Sequence, residues 1–349
     1  MANARRLNLA RVAELTELAD FIVPFAIRIA CEFRLADHLS DGPQSVADLA
    51  RATGTDESAL YRILRALACK GIFTEQHPGK FGMTPLSEVL RSDHPASLVG
   101  AYPFLPAEIA AWSRLDHCVR TGEAAFPLVH GERYWDYLRT HSDFRARVDE
   151  VSRSASRLHA RTVLSLFPWS EVATVVDVGG GDGAFLAGLL ARFPHLRGVL
   201  LDLPEVVSRA AELFSAAGIG ERAEVVAGDF FDRVPAAADL YILKTVLPGW
   251  DDNAAGLILG KVRDAMREDS ELLVLEAILP EGDTFDVAKL FDVQTLVSTG
   301  TRHRTRMELE RLLGARGLAI TAVAATPTLT VVQARRALSA AAECADQVG

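Results

Sequence analysis

Two periods of apolar residues divide the chain. Up to about residue 168 they recur at helical spacing; from about 172 they gather into short β-branched runs between helical stretches. In the first 40 residues Leu15, Leu18, Phe21, Ile22, Phe25, Ile27, Ile29, Phe33 and Leu35 predict helices too apolar to stand alone at a surface. Such helices need cover, and a second subunit is the natural candidate, with the chain's own body as the alternative. Ser45 then caps a short helix that Gly54 breaks, and Asp56 caps a longer one over 57–70 with Leu60, Ile63, Leu64 and Leu67 on one face. The apolar pairs at 72–74 and 81–83 flank a polar turn at Gly79, as the strands of a wing would. The pattern predicts a winged helix-turn-helix. Further helices follow over 95–168, where Trp112, Phe126, Tyr134, Trp135, Tyr137 and Phe144 read mostly as core, with a few available to line a flat apolar pocket.

Beyond residue 172, strand and helix alternate as an α/β sheet requires. Strands are expected at 174–178, 198–202, 223–227, 239–243 and 271–276. Two more, over 318–324 and 328–333, are joined by a proline-containing turn, which predicts an antiparallel edge on an otherwise parallel sheet. The organisation is therefore a mostly helical segment at 1–95, a helical linker contributing to a substrate pocket at 96–168, and a Rossmann-like α/β domain at 169–349.

The candidate chemistry starts where the first strand ends. Val175-Val176-Asp177-Val178 runs into Gly179-Gly180-Gly181-Asp182-Gly183 and then into an apolar helix. Glycines let the backbone turn sharply and approach a ligand, and the helix that follows presents free N–H groups. Gly179-x-Gly181-x-x-Ala184 fits a dinucleotide fingerprint, which is weak alone. Asp177-x-Gly179-x-Gly181-x-Gly183 fits the first motif of methyltransferases that use S-adenosylmethionine (SAM). A carboxylate at Asp177 suits SAM, with its sulfonium and amino groups, better than a pyrophosphate. Asp202 ends the second strand 25 residues after Asp177, where it can accept from both ribose hydroxyls of an adenosine ligand. After the third strand comes Gly228-Asp229-Phe230-Phe231, where Asp229 can accept from an adenine amino group and Phe230 can lie along the ring. Any one of these acids could simply cap the next helix; three at successive strand ends favour a ligand.

Taken in order, Val-Asp-Val-Gly-Gly-Gly, Asp-Leu-Pro, Gly-Asp-Phe-Phe, Leu-Lys-x-Val-Leu-x-x-Trp-Asp-Asp and Leu-Glu-x-x-Leu-Pro resemble the small-molecule O-methyltransferases. That family includes plant caffeate and flavonoid enzymes and bacterial enzymes tailoring aromatic polyketides. The resemblance covers nearly the whole chain. It implies a class I methyltransferase sheet behind a winged-helix dimerisation domain, a homodimer, and transfer of a methyl group to a phenolic hydroxyl with S-adenosylhomocysteine as product. The cofactor set it implies is Asp177, Gly179, Gly181, Asp202, Leu203, Asp229, Phe230 and Lys244, with Trp250 near adenosine and substrate.

One departure bears on mechanism. The family pattern Leu-His-Asp-Trp carries the histidine that takes the phenol proton, and this chain has Leu247-Pro248-Gly249-Trp250. Of the two glutamates that orient that histidine, one is matched by Glu276. The other, in a Gly-Gly-x-Glu-Arg-Thr pattern, is His303. The expectation is that His303 is the base and Glu276 orients it, since a near-neutral imidazole suits a phenol at physiological pH. The alternative is that an acidic phenol needs no base and positioning supplies most of the rate. Arg5, Arg6 and Arg11 sit on an N-terminal helix that relatives tuck into the partner's active site, so Arg11 is a candidate for gripping a substrate carboxylate. The pattern is similar to enzymes acting on orsellinate-like units.

Composition narrows the rest. A net charge of −9 over 349 residues argues against a nucleic-acid surface, and the second helix of the winged motif carries a mixed face of Glu57, Arg62, Arg65 and Lys70. Cys31, Cys69, Cys118 and Cys344 lie far apart, as free thiols in a reducing cytoplasm do, and no acidic or histidine cluster has metal-ligand spacing. No signal-peptide core or membrane-spanning run is expected. Two further readings stay open at this point: a SAM-binding hydroxylase or decarboxylase of the same fold, and a SAM-sensing winged-helix regulator. A nicotinamide dehydrogenase is the weakest.

Overall fold

In the computed structural model, which describes residues 8–337, the first hundred residues fold much as their caps dictate. Helices α1 (Leu9–Leu18) and α2 (Ile22–Glu32) come first. Next are a two-residue strand β1 (Gln44–Ser45), α3 (Val46–Thr53) and α4 (Glu57–Ala68). The Ser45 side chain accepts from the Asp48 N–H and Asp56 accepts from the Ala59 N–H, so each helix starts where a side chain satisfies an orphan donor. Gly54 closes α3 in the left-handed conformation. Strands β2 (Phe73–His77) and β3 (Lys80–Met83) form the wing, in a sheet ordered β1-β3-β2. Leu49, Leu60, Leu64, Leu67, Phe73 and Phe81 are its buried core. No residue of α1 is buried: Leu9, Val12, Leu15 and Leu18 are all exposed, so the apolar stripe expected there exists and lies open.

The chain divides into two compact units between Phe104 and Leu105. The helices after Leu105 fall in the same unit as the sheet. Among them are α5 (Tyr134–Thr140) and the long α6 (Ser142–Val163). Phe126, Tyr134 and Phe144 pack together as core, as expected, whereas Trp135 remains 42 % exposed.

The second unit is built on seven strands. In chain order its elements are β4 (Thr174–Val178), α7 (Ala184–Arg192), β5 (Arg197–Asp202), β6 (Ala223–Ala227) and β7 (Leu240–Lys244). Then come α8 (Asp252–Ala265), β8 (Glu271–Glu276), α9 (Val287–Ser298), α10 (Arg306–Gly314), β9 (Leu318–Ala325) and β10 (Thr330–Arg336). The sheet order is β6-β5-β4-β7-β8-β10-β9, parallel from β6 to β8, with β10 antiparallel to both its neighbours. This is the mixed sheet with a hairpin edge that the sequence predicts. Side chains alternate across it. Val175, Leu200, Ile242 and Leu273 face α6 and α7; Val176, Leu201, Leu243 and Val274 face α8 and α10. Strand order reverses between β4 and β7, and a doubly wound sheet opens a ligand crevice at that point, beyond the carboxyl ends of its strands.

Candidate active site

The glycine loop occupies that crevice. Gly179, Gly181 and Gly183 have φ values of +68°, +66° and +85°, a region where a side chain is strained. Gly180 needs its missing Cβ for another reason: a Cβ there would stand 2.5 Å from the Asp177 carboxyl group and from Leu200. A Cβ on Gly181 would meet nothing within 4 Å, so the loop presents bare backbone to open space.

That space is a cavity of about 260 Å³ within the second unit. Asp202 lies on its wall, one carboxylate oxygen accepting from Gly181 N–H and the other from Leu203 N–H, both at 2.8 Å. Burial pushes the Asp202 carboxyl up to about 6 against the pull of these two N–H groups. Each oxygen keeps a lone pair for a neighbouring hydroxyl. Asp229 accepts from Phe231 N–H at 2.8 Å with one oxygen, leaving the other open. The Phe230 ring packs over Gly179, where a Cβ would lie 3.3 Å from it, and meets Trp250 edge-on at 5.9 Å. Leu203, Lys244 and Trp250 also line the cavity. Lys244 is buried with its amine 5.8 Å from the Phe185 ring centroid, and burial lowers its pKa while Asp177 opposes the shift.

Asp177 is placed differently from the expectation. It is fully buried, does not line the cavity, and neither carboxylate oxygen has a hydrogen-bond partner. Burial drives its pKa up to about 7, with Lys244 pulling it down. It sits behind Gly180 and out of the cavity, so it gives no direct argument against a pyrophosphate.

The sequence reading also missed one wall. Arg145, Asp149, Ser152 and Ser156 of α6 face the cavity at helical spacing, and Trp135, Leu138 and Arg139 of α5 continue the wall. The polar stripe on α6 was visible in the sequence, but it has the composition of a solvated helix face. Burial raises the Asp149 pKa against the pull of Arg145.

Beside the cavity, the turn Leu247–Gly249 and Trp250 are tied down at every carbonyl. Leu247 C=O accepts from Arg304 Nη1 (2.9 Å), Pro248 C=O from Thr301 Oγ1 (2.6 Å), Gly249 C=O from Trp135 Nε1 (3.4 Å) and Trp250 C=O from Arg304 Nη2 (2.9 Å). Arg304 is 1 % exposed, and its Nε donates to Asp252 at 2.9 Å.

The proposed dyad partners have other neighbours. The Glu276 carboxylate accepts from Leu247 N–H at 3.1 Å, whereas His303 Nδ1 pairs with the Ala277 carbonyl at 3.1 Å. Glu276 thus braces the turn and is not hydrogen-bonded to the imidazole. Burial raises Glu276 to about 7, with Arg304 and the Leu247 N–H opposing. His303 is 7 % exposed, and its backbone N–H donates to Asp292 at 2.7 Å. Neither Glu276 nor His303 lines the cavity. Arg11 lies in the first unit, paired with Glu14 at 3.1 Å, and Arg5 and Arg6 lie outside the described residues.

Residues 112–319 match the family model of the O-methyltransferase domain, and residues 16–93 match that of the O-methyltransferase dimerisation domain. The chain belongs to the O-methyltransferase family. As a member, the enzyme uses SAM. The cavity suits that cofactor: bare glycine backbone, a paired acceptor at Asp202 and a ring at Phe230 are what an adenosine carrying an amino-acid tail requires. The methyltransferase is 36 % identical over 320 residues to a phenazine O-methyltransferase of Lysobacter antibioticus, covering 91 % of this chain and 94 % of that one. It is 35 % identical over 316 residues to an aclacinomycin 10-hydroxylase of Streptomyces purpurascens, covering 88 % and 84 %. A solved neocarzinostatin-biosynthesis O-methyltransferase, in complex with SAM and 2-hydroxy-5-methyl naphthoic acid, superposes with a TM-score of 0.76 at 32 % identity, over 95 % and 100 % of the two chains. Among the described residues no set of three potential ligands gathers as a metal site, and no helix is long and apolar enough to cross a membrane.

Asp202→Ala should weaken S-adenosylhomocysteine binding by at least about tenfold, since two hydrogen bonds to a charged acceptor are lost. Wild-type affinity should fall as pH drops through about 6, because only the ionised Asp202 carboxylate accepts from both hydroxyls while holding Gly181 and Leu203. Calorimetric titration between pH 5 and 8 checks both.

Proposed function

We propose that the enzyme methylates a phenolic hydroxyl on an aromatic natural-product intermediate, with His303 as the base. The observation that carries the base assignment is the His303 imidazole: buried, with Nδ1 turned to the Ala277 carbonyl. A carbonyl can only accept, so Nδ1 carries the proton and Nε2 is left with its lone pair. That is the tautomer a base needs. Burial lowers the His303 pKa, with Arg304 in the same sense and the Ala277 carbonyl and Asp292 opposing. The ring is then neutral and ready to accept at neutral pH. When bound, SAM supplies an electrophilic methyl group on a positively charged sulfur. The chain's part is to hold the phenol oxygen in line with that methyl, to take its proton at His303 Nε2, and to keep the site wall fixed through Glu276 and Arg304.

The exposed apolar stripe of α1 and the match to the dimerisation domain support a homodimer. The thiols at Cys31, Cys69 and Cys118, free among the described residues, suit the cytoplasm. The naphthoic acid bound by the solved relative supports a planar, carboxylated substrate, with Arg11 as the candidate for its carboxylate. One observation favours a second reading. Pro248 stands where the family pattern places its base, and a hydroxylase is among the similar proteins. Oxygen uptake without S-adenosylhomocysteine formation would establish that reading.

His303→Ala should lower kcat by roughly 10²–10⁴-fold, the usual contribution of a general base, and leave S-adenosylhomocysteine affinity unchanged. Wild-type kcat/KM should rise with pH through a value below the ordinary histidine pKa and then level off. Near-normal turnover of the variant across pH 6–9 contradicts the assignment. Arg11→Ala should raise KM for an aromatic acid and spare its methyl ester; equal effects on the two substrates remove Arg11 from the site.

A further inference from the structure

Gly249 stands at the third position of the turn, where the family pattern has aspartate. Its backbone is outside the left-handed region, so its conformation does not demand glycine. Its neighbour does. A Cβ on Gly249 would stand 2.9 Å from Cζ2 of the Trp135 indole, too close for a carbon contact. The same indole donates Nε1–H to the Gly249 carbonyl and lies nearly parallel to Trp250, with centroids 6.1 Å apart and planes 16° from each other. Trp250 is in turn held edge-on by Phe230 at 5.9 Å and Phe231 at 4.8 Å. Trp135 thus joins a row of rings that starts beside the glycine loop to Tyr134 of the helical core, 5.3 Å away and edge-on, and it lines the cofactor cavity.

The C-terminal end of α5 adds a surface ion pair to its core packing. There Arg139 Nε lies 3.3 Å from Glu205 Oε1, with both side chains more than a third exposed, and such surface pairs contribute little. Tyr134 and Leu138 anchor α5 in the helical core, and Trp135 on Gly249 is the contact that ties the helix to the Leu247–Trp250 segment.

We propose that Trp135 is a cofactor-retaining residue, whose indole, docked on Gly249, closes the wall of the SAM pocket and slows release of SAM and of S-adenosylhomocysteine. The proposal rests on the reading of this cavity as the SAM site. It makes Gly249 more than a lost aspartate: the glycine creates the space the indole fills.

The test is a double-mutant cycle on the full-length enzyme, with S-adenosylhomocysteine as probe. Affinity is read by calorimetry and release by stopped-flow, for wild type, Gly249→Ala, Trp135→Ala and the double variant. Each single variant should release the probe about tenfold faster, the scale of one aromatic contact. The double variant should be no worse than Trp135→Ala, because the added Cβ then displaces nothing. Gly249→Ala that binds and releases as wild type does, or losses that multiply in the double variant, overturns the proposal. Should Gly249→Ala fail to fold, Trp135→Phe serves: it keeps a ring but loses the N–H and the outer ring, so release should quicken several-fold, and unchanged release overturns the proposal. A wild type that does not bind the probe at all overturns the cofactor reading itself, before any variant is compared.

Discussion

A single buried guanidinium holds the active face of this enzyme together. Arg304 is sealed from solvent and spends its donors on Leu247 C=O, Trp250 C=O and the Asp252 carboxylate. A charge in that position is tolerable only because each arm of the fork has an acceptor. Its loss would leave the buried Trp250 carbonyl without this donor, while Leu247 C=O keeps the Trp250 N–H and the half-exposed Asp252 keeps Arg302. The dependence runs outward from there. The Leu247–Gly249 turn carries Trp250, Trp250 meets Phe230, and Phe230 covers the Gly179 turn of the loop. Glu276 completes the arrangement from below by accepting the Leu247 N–H. A segment that in the family pattern carries the base is here a mechanical part, held rigid and carrying no titratable side chain.

The sheet explains why these pieces meet. Parallel pairing brings the carboxyl ends of β4, β5 and β6 level, with Val178 beside Leu201 and Asp202 beside Ala227. The first strand therefore delivers the glycine loop, the second Asp202 and the third Asp229, all at one edge. Period-two alternation buries both faces of the sheet and leaves only that edge for chemistry.

This edge was legible in the sequence because it is written in contiguous motifs. The glycine run, the acids at successive strand ends and the hairpin-bearing edge strand can each be read locally. What could not be read depended on direction rather than spacing. Asp177 occupies the expected position, yet its side chain points behind Gly180 instead of into the cavity, which no one-dimensional pattern encodes. Glu276 and His303 were paired because the family pattern pairs the glutamates at those positions around one histidine. With proline at that point, each finds a backbone group instead. Arg304 lies between Arg302 and Arg306, and nothing in such an Arg-rich stretch tells the buried arginine from its exposed neighbours. The α6 stripe of Arg145, Asp149, Ser152 and Ser156 was hidden the same way, since a helix lining a polar cavity and one facing water have the same composition.

The most direct test of this account is amide hydrogen exchange over the turn at 245–252, in the wild type and in Arg304→Lys. Leu247 N–H donates to the buried Glu276 carboxylate, and the Gly249 and Trp250 amides donate within the turn. A turn locked by the guanidinium should exchange slowly in the wild type even without cofactor. It should open in the lysine variant, which keeps the charge but loses the fork, and S-adenosylhomocysteine binding should weaken in parallel. Fast exchange in the wild type, or protection and binding that survive the substitution, would contradict the claim that this buried arginine fixes the site.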